Sequence, residues 1–93
     1  MSKQYRRTNN YQLRKIANQI MLFPVGRKAD DLQGAIILNE LSEFIWKIVD
    51  KPKTIEDIFK TIIENYEVEN EDYQYLIIQL LDEFVEYEVF ELC

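Results

Sequence analysis

The order of hydrophobic patterns along the 93-residue chain predicts an α+β fold, a small antiparallel sheet of two or three strands followed by a three-helix bundle. Two observations carry that expectation. Short β-rich runs separated by turn residues fill the first forty positions, and stretches with helical spacing, joined by short connections, fill the rest.

Residues 1–10, "MSKQYRRTNN", are polar and charged and show no period, so they read as a flexible basic tail ahead of a single domain over 11–93. "YQLRKIANQIMLFPVG" then alternates, with Tyr11, Leu13 and Lys15 on one face and Gln12, Arg14 and Ile16 on the other. Ala17-Asn18 is a turn, Ile20–Phe23 forms the second strand, and Pro24 and Gly26 end it. After the charged loop "RKADDLQG" comes a third strand, Ala35–Leu38, apolar on both faces.

Asn39 caps the first helix, whose apolar stripe is Leu41, Phe44, Ile45, Ile48 and Val49, and Asp50-Lys51-Pro52 stops it. Thr54 and Asp57 form a capping box for the second, in which Ile55, Ile58, Phe59, Ile62, Ile63 and Tyr66 share a face. Asn70 caps the third, and Glu71 and Asp72 suit its positive first turn. Its main apolar face is Tyr73, Leu76, Ile77, Leu80, Phe84 and Tyr87. Ile78, Leu81 and Val85 widen that face on one side to roughly 200°, about twice what one small core needs. The closing "VFEL" fits either a short strand or a surface segment. A sheet beside three tightly joined helices has the outline of a winged helix-turn-helix.

Composition narrows the function. The chain has no histidine and one cysteine, Cys93, which removes the usual general base, internal disulfides, and zinc or iron–sulfur sites built by this chain alone. Pairs of carboxylates such as Glu40/Glu43 and Asp82/Glu86 lie on solvated faces, and no glycine-rich phosphate loop is present. The expectation is a chain without catalytic residues, metal or cofactor. No apolar run approaches the ~20 residues needed to cross a bilayer, and no signal-peptide core follows the N-terminal charges. A cytoplasmic protein without a membrane partner is the default.

Residues 1–28 carry a charge of +7 and residues 29–93 one of −13. A DNA-binding winged helix would present its last helix to the major groove. Here that segment holds Glu71, Asp72, Asp82, Glu83, Glu86 and Glu88, with Glu91 just beyond, and no Lys or Arg, so a polyanion would repel it. A winged-helix DNA-binding regulator is therefore the alternative reading, and no nucleic-acid partner is expected. Trp46, at the margin of the first helix's stripe, reads as a core-edge or protein-contact residue.

At "LNELSEFIWKIVDKPKTIEDIFKTIIENYEVENEDYQYLIIQLLDEF" the pattern becomes specific. Leu38-Asn39-Glu40 opening a helix, Phe44-Ile45-Trp46, Val49-Asp50, the capped "KTIEDI" and Tyr66-Glu67-Val68 before a long last helix resemble the PqqD-like family, the RiPP precursor-peptide recognition elements. "LRKIANQIMLFP" looks like that family's opening strand pair. The chain departs from the family's usual glycines at Lys51 and at Tyr87-Glu88. The resemblance implies a non-enzymatic peptide chaperone that binds the leader of a ribosomally made precursor by β-strand addition and delivers it to a separate modification enzyme, often a radical S-adenosylmethionine protein.

On that implication Ala35, Ile36, Ile37 and Leu38 carry the ladder to the guest, and Gln74, Ile78, Leu81 and Val85 line the apolar side of the groove. Arg14, Lys15, Arg27 and Lys28 are expected to steer an acidic leader electrostatically. A free edge strand is also compatible with a homodimer.

Overall fold

The computed structural model describes residues 3–26, 34–68 and 70–93. Among these residues six strands and three helices follow one another as β1 (Gln4–Arg7), β2 (Tyr11–Ile16), β3 (Gln19–Pro24), β4 (Ile36–Leu38), α1 (Glu40–Ile48), β5 (Lys53–Thr54), α2 (Ile55–Asn65), α3 (Asp72–Glu86) and β6 (Phe90–Leu92). The fold is α+β, but with two three-stranded sheets, ordered β2-β3-β4 and β5-β1-β6, where one was expected.

The first sheet follows from alternation and turn chemistry. β2 and β3 pair from Tyr11↔Pro24 to Ile16↔Gln19, and Ala17 sits at the turn with φ of 55°. β4 joins the other side of β3 through Ile20↔Leu38, Met21↔Ile37 and Leu22↔Ile36. This register puts Leu13, Ile20, Leu22, Ile36 and Leu38 on the core face and Arg14, Met21 and Ile37 on the other.

The second sheet corrects the reading of residues 1–10 as a tail. Gln4–Arg7 is the central strand of that sheet, paired antiparallel with β5 and β6. Its backbone is tied to the C-terminus by Gln4 and Cys93, whose amides each donate to the other's carbonyl (3.3 and 2.9 Å). Arg7 leans on Trp46, its guanidinium 3.7 Å from the ring centroid, and its Nε and Nη2 donate to the Trp46 carbonyl at 3.0 and 2.8 Å. Nη2 also reaches the Lys47 carbonyl at 3.2 Å. Carbonyls in the last turn of a helix lack partners within the helix, so Arg7 caps the end of α1 with charge-assisted bonds. Burial lowers its pKa, with Asp50 opposing, and the side chain remains a cation.

The helices begin as their capping residues require. Asn39 Oδ1 accepts from the Ser42 amide at 2.8 Å while Ser42 Oγ accepts from the Asn39 amide at 2.8 Å. Thr54 and Asp57 close the same reciprocal box on α2. The Asp57 carboxyl is held below the ordinary carboxylate range, mainly by the Thr54 backbone amide and then by its hydroxyl, with Lys53 and Lys60 helping. A depressed folded-state pKa stabilises above the unfolded pKa of about 4 and is lost as pH falls through the folded value. The difference in melting temperature between the native chain and Asp57→Asn should therefore be constant near neutrality and shrink in acid, a comparison that thermal melts at graded pH provide. α3 starts one residue later than read, with Glu71 at the cap position and the Asn70 side chain accepting from the Asp72 amide at 2.9 Å.

α3 ends in a left-handed residue, Glu88 at φ of 61°. The Val89 amide reaches the Phe84 carbonyl at 2.8 Å and the Glu88 amide that of Val85 at 3.1 Å, the paired bonds of a Schellman turn. Thr8 Oγ1 and Asn10 Nδ2 then donate to the Glu88 carbonyl at 2.6 and 3.2 Å, and the Tyr11 hydroxyl to that of Tyr87 at 2.9 Å. All of these acceptors are backbone atoms. A left-handed non-glycine residue costs about 1–2 kcal/mol, and the bonds that converge on this turn hold Glu88 in that conformation.

The core lies between the first sheet and the helices. Leu22, Leu38, Ile45, Val49, Ile58, Ile62, Ile77, Leu81, Phe84, Val89 and Phe90 are buried. Phe84 and Phe90 meet edge-on at 5.1 Å between centroids, joining α3 to the second sheet. No helix among the described residues is long and apolar enough to cross a membrane.

Candidate functional site

β4 pairs only with β3, and among the described residues no strand lies along its outer edge. Ile37 is 61% exposed and Leu38 6%. The edge is bounded at its C-terminal end by the helix cap. The Asn39 amide is committed to Ser42 Oγ, and its carbonyl accepts from the Glu43 amide and Ser42 Oγ. The side of Ile36–Leu38 that faces away from β3 has no strand partner among the described residues, and Ala35 precedes the strand.

Where β4 runs into α1 an open groove begins, with a volume of about 510 Å³. Leu41, Ile62, Val68, Tyr73, Leu76 and Ile77 form its apolar lining. Two tyrosines are set against phenylalanines behind them: Tyr66 edge-on to Phe44 at 5.1 Å, and Tyr73 to Phe59 at 5.9 Å. Such contacts hold a wall in place before a ligand arrives. Glu40, Glu67, Asn70 and Asp72 complete the lining, and among the described residues no Lys or Arg belongs to it.

The structure places the anticipated groove residues differently. Leu81 is fully buried and belongs to the core, so it is not a pocket residue. Val85 is half-buried and packs on that core. Gln74 faces α2, lining a shallow depression with Phe59, Lys60 and Ile63, and its Nε2 lies 3.4 Å from the Tyr73 hydroxyl. Ile78 is 39% exposed beside Tyr75, away from the groove. The apolar arc of α3 is as wide as its sequence says, but the flank left open is the opposite one. Leu76, 59% exposed, lines the groove, and Tyr87 and the half-buried Leu80 continue its side of the helix.

Arg14 and Lys15 lie on β2, the far edge of the sheet from β4. Two strand spacings, roughly 10 Å, exceed the Debye length of about 8 Å at physiological ionic strength, so they act only weakly on a guest at β4. Arg14 also donates to Gln12 Oε1 at 3.1 Å. Arg27 and Lys28 lie outside the described residues. No cluster of His, Cys, Asp and Glu suited to a metal occurs among the described residues.

No curated protein and no solved structure matches the chain. The model of one protein family does, that of the coenzyme PQQ synthesis protein D (PqqD), over residues 18–89. That span runs from the β2–β3 turn through β4, the three helices and the Schellman turn, most of the chain and both walls of the groove, and the protein therefore belongs to the PqqD family.

Proposed function

We propose that this protein binds the leader segment of a ribosomally made precursor peptide as an added strand on β4 and presents it to a separate modification enzyme of the radical S-adenosylmethionine type. It contributes no catalytic residue of its own and works in the cytoplasm. Two observations carry the reading: the outer edge of β4 has no strand partner among the described residues, and an apolar groove begins at Glu40, two residues after the strand ends. Membership of a coenzyme-synthesis family supports it.

Magnitudes assign different tasks to edge and groove. Three strand residues offer only a few outward backbone bonds, each worth about 0.5–1.5 kcal/mol net, too little to offset the entropy of association. A large side chain moved from water into the groove contributes roughly 1.5–3 kcal/mol more. The edge fixes direction and register, and the groove supplies most of the affinity and the selectivity. A DNA-binding role is disfavoured because α3 holds acids and no basic residue.

Leu76→Glu puts a charge into the groove from an exposed position, so the fold should survive while affinity falls at least about tenfold, by the desolvation of one carboxylate. Fluorescence anisotropy of labelled leader peptides from precursors encoded beside this protein measures it. Unchanged affinity in the folded variant would remove the groove from the binding site. Peptides that fail to bind the native chain, with self-association by sedimentation instead, would assign the β4 edge to a second copy.

A further inference from the structure

Resting on strand addition at β4, one property of the guest can be read from the groove's charge. We infer that the guest seats a large apolar side chain in the groove with Lys or Arg two positions from it, on the same face of the added strand. The lining is apolar at its base and carries Glu40, Glu67 and Asp72, with no cation among its described residues. None of these acids has an ion-pair partner among the described residues, where Lys47 pairs with Glu43 at 2.8 Å and Arg6 with Glu91 at 2.5 Å.

Two helix N-termini meet the groove, α1 at Glu40 and α3 at Asp72, and each brings about half a positive charge. Against three carboxylates that leaves a net negative potential. A guest carboxylate beside the seated side chain is repelled, a neutral neighbour gains nothing, and a cation reaches oxygens that now face only water. Side chains of an extended strand alternate, so the residues two positions before and after the seated one share its face and reach the rim of the groove. This selects a basic-apolar contact at the groove even where the rest of the leader is acidic.

The test is selection of short random peptides displayed on phage against the full chain. Enrichment of a large apolar residue with Lys or Arg two positions away is expected, with the basic preference lost against a Glu40→Lys/Glu67→Lys variant whose folding is checked by circular dichroism. In solution, replacing two such flanking cations by Glu in an enriched peptide should weaken binding to the native chain roughly tenfold, which keeps the test independent of the variant. Enriched peptides with acidic flanks, or without charge preference, would overturn the inference while leaving peptide capture standing. No enrichment of any sequence would overturn both.

Discussion

Leu81→Ala should lower the unfolding free energy by about 3 kcal/mol, whereas Leu76→Ala, one turn and a residue earlier on the same helix, should cost well under ~1 kcal/mol. Both are leucines of α3, so propensity and unfolded-state effects nearly cancel in the comparison. What differs is burial: Leu81 is 0% exposed, and Leu76 is 59% exposed. Truncating Leu81 removes transfer free energy and leaves a cavity that close-packed neighbours fill only partly. Truncating Leu76 removes a wall of the groove, so its cost appears in peptide affinity. Urea titrations followed by circular dichroism separate the two, and equal destabilisation would mean that α3 turns a different face to the core.

Arg7→Ala should cost about 2–3 kcal/mol, a large effect for a side chain in a segment whose sequence looks like a solvated tail. The truncation removes the contact with the Trp46 ring and leaves the Trp46 and Lys47 carbonyls at the end of α1 without their donor. It also loosens the central strand of the second sheet from the helical layer. Arg7→Lys should recover only part of the loss, because an ammonium cannot stack its plane on the indole while bonding two carbonyls. The same urea titrations report it, and a change within about 0.5 kcal/mol would show that β1 holds its place without this residue.

How much of this was legible in the sequence depended on whether the signal was local. Asn39, Thr54 and Asp57 sit in capping geometry because caps act within four residues. The β2–β3 hairpin and its faces followed from alternation across Ala17-Asn18. The second sheet was not legible. β1 is four residues with little alternation, β5 is two, and the pairing of β1 with β6 closes over most of the chain's length. Arg7 gave no signal, since a half-buried arginine stacked on a tryptophan 39 positions away looks like any surface charge. For the site, Ala35–Leu38 could be singled out as an apolar run, and the structure leaves the outer edge of Ile36–Leu38 open among the described residues. The groove wall could not be singled out, because periodicity measures the width of an apolar arc but not which flank the sheet covers. Leu81 and Leu76 exchanged roles for that reason.

The most direct measurement is amide hydrogen exchange at Ala35–Leu38, with and without a peptide selected for binding. If the outer side of β4 receives a guest strand, at least one of these amides exchanges quickly in the free protein and slows by about tenfold or more on saturation, while the Asn39 amide, already held by Ser42, changes little. Peptide binding that leaves exchange at all four residues unaltered would contradict strand addition at β4 and place the guest elsewhere on the molecule.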